Sequence, residues 1–112
     1  ELGTIMEQQT PLKMILLNNN YLGNVRQWQD LMYNHRRSFT KMLNPYYQKI
    51  AEAYGINYDV VIDREDLKAK VEKMLHTDGP YILECAVKEE ENVTPMVTPG
   101  CAIDEMQLHL DI

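Results

Sequence analysis

Apolar residues recur along this chain at two spacings, and the switches between them mark out the elements. Leu2, Ile5, Met6 and Gln9 follow helical spacing with no capping residue ahead of them, so the chain is expected to begin inside a helix, as a piece of a longer protein would. Thr10-Pro11 ends that helix, because proline disfavours the helical conformation in the residue before it. Leu12–Leu17 is a short, nearly continuous apolar run stopped by Asn18-Asn19-Asn20, which predicts a strand buried on both faces. Val25, Trp28 and Met32 place a helix within Tyr21–Tyr33, and Asn34–Leu43 is polar and irregular.

Asn44 as cap and Pro45 in the first turn open the next expected helix, with Tyr47, Ile50, Ala51 and Tyr54 as its inner stripe and Gly55 as its stop. Tyr58–Ile62 reads as a second strand. Asp63 then caps a helix whose inner stripe is Leu67, Val71, Met74 and Leu75. Asp78-Gly79-Pro80 turns the chain into a third strand, Tyr81–Val87, and Lys88–Glu91 reads as a solvated charge run. Beyond Asn92 the periodicity is lost among Pro95, Pro99 and Gly100, and a short helical turn is expected around Asp104–Leu108.

Helices alternating with buried-type strands define the α/β class, a parallel sheet with helices on both faces. Three strands leave apolar edges uncovered, so further strands are expected outside these 112 residues.

Composition narrows the possibilities. Hydrophobic residues make up 45% of the chain and charged residues 25%, ordinary globular usage. A net charge of -6, with Arg36–Arg37 as the one basic doublet, argues against nucleic acid as a partner. Cys85 and Cys101 stand far apart in no zinc-binding pattern; two reduced thiols are expected, with one disulfide as the alternative. Asn92-Val93-Thr94 fits the glycosylation pattern, though such triplets arise often by chance. No apolar stretch is long enough to cross a membrane and no leader is evident, so a soluble, cytoplasmic chain is expected, without membrane contact. His35, His76 and His109 have no nucleophile beside them in sequence, and the Met residues fall mostly at apolar, core-type positions.

Ligands of open parallel sheets bind beyond the carboxyl ends of strands. Asn18-Asn19-Asn20 lies at such an end, and amide and carbonyl oxygens are hard ligands suited to magnesium. Gly23 permits close approach of backbone to a ligand, and the helix start near Asn24 offers free N–H groups to a diphosphate. By themselves, asparagines after a strand are more often turn formers and caps.

The run Leu17-Asn18-Asn19-Asn20-Tyr21-Leu22-Gly23-Asn24-Val25-Arg26-Gln27-Trp28-Gln29 resembles the second half of the thiamine diphosphate motif of the acetolactate synthase (acetohydroxyacid synthase) catalytic subunits. Glu1–Ile5, Leu43–Gly55, Asp78-Gly79-Pro80, Glu91–Val97 and Gly100–Met106 resemble further segments of that family in order. The resemblance implies that residues 1–112 are the C-terminal part of its thiamine diphosphate-binding domain, with 89–112 an extended tail. It implies Asn19 and the Tyr21 carbonyl as magnesium ligands, Leu22, Gly23 and Asn24 at the diphosphate, and Trp28 on the substrate channel.

The implied parent condenses two pyruvates, or pyruvate and 2-ketobutyrate, with release of carbon dioxide, in branched-chain amino-acid synthesis. Thiamine diphosphate, Mg2+ and FAD are its implied cofactors. A homo-oligomer, with a regulatory subunit as a further partner, is implied as well. Gln27-Trp28-Gln29 favours the flavin-containing biosynthetic type over the flavin-free catabolic one. The alternatives are another thiamine-dependent carboligase or decarboxylase, and a non-catalytic α/β binding or dimerisation module. Two departures stand out. The family's Gly-Asp-Gly and its activating glutamate are not in this sequence, so no catalytic residue is assigned, and Asn24 stands where methionine is common.

Overall fold

The computed structural model describes residues 1–109. In chain order the elements are α1 (Leu2–Gln8), β1 (Lys13–Asn18), α2 (Gly23–Met32), α3 (Tyr47–Ala53), β2 (Asn57–Val61), α4 (Leu67–His76) and β3 (Tyr81–Ala86); a turn of 3-10 helix at Arg64–Asp66 leads into α4. The chain divides into two compact units. One comprises Glu1–Asn18 and Asn44–Val87; the other comprises Asn19–Leu43 and the chain from Lys88 onward.

The first unit is built on a sheet of order β1-β3-β2. Both pairings are parallel, with Lys13 and Asn57 opposite Tyr81, Asn18 opposite Ala86 and Val61 opposite Cys85. The chain passes from β1 to β2 across the place that β3 takes, then returns. Right-handed crossovers in opposite directions put their helices on opposite faces. The core agrees: Tyr81, Leu83 and Cys85 of β3 pack with Val61, Val71 and Met74 on one side. On the other, Ile82 packs with Ile5 of α1, Ala51 of α3 and Ile56, alongside Met14, Tyr54 and Tyr58. The α/β class and the two-sided helical cover match the sequence expectation.

Three expectations in this unit need correction. β1 is an edge strand covered on one side only, with Ile15 55% and Leu17 68% exposed; the strand buried on both faces is β3. In α4, Val71 and Met74 turn inward but Leu67 and Leu75 are exposed, because a single sheet face takes a stripe narrower than the one drawn from spacing. The third helix begins at Tyr47 rather than Pro45, since Tyr46 is still extended (φ -72, ψ 97). The Asn44 side chain donates to Asn18 Oδ1 at 2.9 Å, and no side chain caps α3. Gly55 stops α3 as expected, at φ 62, where a side chain would be strained.

In the second unit, Tyr21 and Lys41 form an antiparallel bridge, held by Leu22 N–H donating to Thr40 O and Met42 N–H to Asn20 O, both at 2.8 Å. Met96 and Gln107 form another, and the helical turn expected at Asp104–Leu108 is this bridge instead. α2 forms where Val25, Trp28 and Met32 place it, but it does not bury that apolar set. Val25 and Met32 are exposed, while Arg26, Gln27 and Asp30 are the buried residues. Cys85 and Cys101 are both free thiols. Among the described residues no helix is long and apolar enough to cross a membrane.

Leu83 is 0% exposed. Leu83→Ala should therefore lower the stability of this chain by roughly 2–5 kcal/mol. Leu17→Ala should stay within about 0.5 kcal/mol. Urea unfolding of both variants checks the contrast.

Candidate functional site

The asparagine run divides its labour. Asn18 ends β1, and its amide donates to Glu84 Oε1 at 2.8 Å. Asn19 Oδ1 accepts the N–H of Tyr21 at 3.1 Å, closing a side-chain turn. Asn20 sits at φ 55, a conformation asparagine tolerates better than most residues, and its amide donates to Glu89 Oε1 at 3.2 Å. These bonds engage the N–H of Tyr21 rather than its carbonyl. The Tyr21 ring is flanked by two cations, with Arg26 and Lys41 5.5 and 5.6 Å from its centre.

α2 starts immediately afterwards. Its N-cap, Leu22, supplies no side-chain bond, and its first turn holds no acidic residue. The first intrahelical bond runs from Arg26 N–H to Leu22 O at 2.9 Å, so the earlier N–H groups of Gly23, Asn24 and Val25 have no helical acceptor. Asn19, Leu22, Gly23, Asn24 and Val25 line one open cavity of about 400 Å³ at this end. A Cβ on Gly23 would lie 3.1 Å from Asn19 Nδ2, closer than that amide accepts without moving. Four of the sequence-predicted residues are thus brought together; Tyr21 is joined to them through Asn19.

Trp28 lies one and a half turns further along α2 and is half-buried. It lines a second cavity, about 280 Å³, with Asn24, Gln27, Val93, Met96 and Val97. Asn24 belongs to both cavities. Trp28 also borders a wider hollow of about 600 Å³ with Val25, Gln29, Tyr33 and Arg36.

Sequence reasoning missed the side chains beneath these cavities. Arg26, 1% exposed, donates through Nη1 to Glu89 O at 2.6 Å, and through Nη2 to Glu91 O at 2.9 Å and Asn92 Oδ1 at 2.8 Å. Gln27 makes a reciprocal pair with Val93: Nε2 donates to its carbonyl at 3.0 Å and Oε1 accepts its N–H at 2.7 Å. Buried Asp30 takes a two-pronged bond from Arg37, at 2.7 Å from Nε and 2.9 Å from Nη2, and Arg37 Nη1 reaches Glu90. The side chains of Lys88, Glu90 and Glu91 are exposed, as expected of a solvated charge run, while the Glu89 and Glu91 carbonyls are taken by Arg26; Arg37 is committed to carboxylates. The available signal was the placing of Arg26, Gln27 and Asp30 on one helix face, with basic and acidic clusters elsewhere to match.

The Arg37 bond holds the Asp30 carboxyl below its ordinary range against the opposing effect of burial, with the Arg37, His35 and Arg26 charges adding to it. The Asp30 bond likewise raises the Arg37 guanidinium further above its usual value, and the Glu90 bond adds to this. His35 Nδ1 lies 3.3 Å from Asp30 Oδ1, His76 Nδ1 lies 2.7 Å from Glu72 O, and His109 is exposed. Among the described residues no group of three or more His, Cys, Asp or Glu side chains is placed to hold a metal. Asn19 Oδ1 and the Tyr21 carbonyl are oxygen donors of the kind magnesium takes, and Asn19 Oδ1 keeps a second lone pair beside the Tyr21 N–H bond.

A two-layered affiliation follows from comparison with known proteins. Residues 1–85 match the family described as thiamine pyrophosphate enzyme, C-terminal TPP binding domain, and the chain belongs to that family. Within it, the chain is 43% identical over 107 residues to the acetolactate synthase isozyme 2 large subunit of Escherichia coli (strain K12), covering 95% of this chain and 20% of that protein. It is 43% identical over 105 residues to the mitochondrial acetolactate synthase catalytic subunit of Saccharomyces cerevisiae, covering 94% and 15%. With the acetolactate synthase large subunit of Pyropia yezoensis it shares 42% over 102 residues, covering 89% and 17%. These relatives bear out the resemblance in the sequence; the chain spans a fifth or less of their length. The solved thiamine diphosphate-dependent 4-hydroxybenzoylformate decarboxylase of Rhodococcus jostii RHA1 superposes with a TM-score of 0.71 over 81% of this chain and 17% of its own, at 22% identity, a likeness of fold.

Because the Asp30 carboxyl is depressed in the folded chain, it stabilises the fold above the ordinary carboxylate pKa of about 4. That contribution is lost as pH falls below about 4, through the lower folded value. Asp30→Asn should cost on the order of 3 kcal/mol at pH 7 by leaving buried Arg26 uncompensated. The gap between the two proteins should close in acid, which urea unfolding from about pH 7 down to pH 3 reads directly.

Proposed function

We propose that this chain carries the diphosphate and metal half of the cofactor site of an acetolactate synthase, in the C-terminal part of its thiamine diphosphate-binding domain. The observation that supports it most is the shared cavity at the uncapped start of α2, lined by Asn19, Leu22, Gly23 and Asn24. Those are the residues that the family motif assigns to the cofactor. In this reading Asn19 Oδ1 and the Tyr21 carbonyl would hold Mg2+, which would neutralise charge on the diphosphate. The free N–H groups of Gly23, Asn24 and Val25, at the positive end of the helix dipole, receive the diphosphate. The absence of a side chain on Gly23 keeps the Asn19 amide where the metal needs it.

When bound, thiamine diphosphate supplies the nucleophilic carbon and the electron sink for decarboxylation and carbon–carbon bond formation. The residues of this chain bind and orient; the proton-transfer glutamate of the family is not among them. Trp28 walls the pocket for the second 2-keto acid, which Met96 and Val97 also line. The parent protein condenses two pyruvates, or pyruvate and 2-ketobutyrate, binds FAD elsewhere, works as a homo-oligomer and takes a regulatory subunit. The chain alone forms no product.

The test is acetolactate formation from pyruvate by the full-length protein containing this chain, with thiamine diphosphate, magnesium and flavin each withheld in turn. Dependence on all three is expected. Activity without flavin would move the assignment to the catabolic type, and none in a folded, cofactor-loaded protein would move it to another thiamine-dependent carboligase or decarboxylase. Gly23→Ala should weaken magnesium-dependent cofactor binding by about tenfold, measured by calorimetry, because it displaces the ligand Asn19.

A further inference from the structure

The 89–97 segment is not merely near α2; its register is written into two side chains of that helix. The carbonyls of Glu89, in a turn, and of Glu91 and Val93 beyond it are all taken by α2: the first two by Arg26, the third by Gln27. The Val93 N–H returns to Gln27 Oε1, and the Gln27 amide also reaches Met96 Sδ at 3.0 Å. Displacing the segment along the helix would break these bonds and leave a buried guanidinium short of acceptors. The same segment supplies Val93, Met96 and Val97 to the cavity of Trp28 and Asn24.

We propose that Arg26 and Gln27 are positioning residues for substrate choice: by fixing the register of residues 89–97, they set the size of the pocket that Trp28 walls. This rests on the reading of that cavity as the site of the second 2-keto acid. One methylene in an apolar pocket is worth roughly 10–200-fold in discrimination, so a wall shifted by a fraction of an ångström changes which acceptor is preferred. Neither residue needs to touch the substrate's reacting atoms. Lysine cannot replace Arg26, because a point charge does not span two carbonyls as a planar fork does. Leucine in place of Gln27 keeps the bulk and removes the paired bonds to Val93.

The experiment is a competition between pyruvate and 2-ketobutyrate as second substrate in the full-length protein, read as the ratio of the two products. Arg26→Lys and Gln27→Leu should each shift the ratio by about threefold or more, with thiamine diphosphate affinity within about twofold of the parent, since the cavity of Asn19 and Gly23 is not rebuilt. Trp28→Ala is the control for the underlying reading and should shift the ratio further. An unchanged ratio in Gln27→Leu beside a shifted one in Trp28→Ala overturns the positioning role alone. An unchanged ratio in Trp28→Ala overturns the pocket assignment and the positioning role with it. Should Arg26→Lys fail to fold, Gln27→Leu decides, because it disturbs no buried charge.

Discussion

A guanidinium withdrawn from water needs acceptors, and in the second unit this requirement at Arg26 organises what surrounds it: Nη1 and Nη2 find them, while Nε has no hydrogen-bond partner among the described residues. The fork finds the carbonyls of Glu89 and Glu91 and the side-chain oxygen of Asn92 rather than a carboxylate. The nearest carboxylate, Asp30, is 4.0 Å away and is bonded to Arg37 instead. Charge on α2 is thus balanced at a short distance while the hydrogen bonds of Arg26 go to two carbonyls and a side-chain amide oxygen. A well-packed apolar core would often be at least as stable. What the polar arrangement provides is a fixed attachment of residues 89–93 to α2.

The first unit solves a different problem by simpler means. β3 lies between its two neighbours and carries side chains of both cores, Leu83 to one side and Ile82 to the other. Its burial on both faces is the consequence of coming last in the chain but central in the sheet. Its half-buried Glu84 is tied to both neighbouring strands, accepting from Asn18 of β1 at one carboxylate oxygen and from the Tyr58 hydroxyl of β2 at the other. Burial, followed by the Glu84 bond and the Glu84 charge, pushes the Tyr58 hydroxyl well above its usual pKa, so it stays a donor to that carboxylate.

Local signals carried most of the fold. Breakers at Pro11, Gly55 and Gly79 bounded elements within a residue or two, and the alternation of helix and strand gave the α/β class. Which strand is central was not legible, because Leu12–Leu17 is as apolar as Tyr81–Val87, and sheet order depends on pairing between distant segments. Periodicity misled on α2 for a related reason. The spacing of Val25, Trp28 and Met32 identifies a helix but cannot say which face turns inward when the opposite face carries a matched set of polar partners. The motif residues Asn19, Leu22, Gly23 and Asn24 were legible as a group because they are contiguous. Arg26 and Gln27 were not, since their partners lie more than sixty residues away.

Asn24 borders both the cavity at the start of α2 and the one beside Trp28. One side chain is therefore a shared wall, and exchanging it for a larger or smaller one resizes both cavities at once. Met96 and Val97 line the second of these cavities with it, so a change of volume at Asn24 is felt in a space that the tail also shapes.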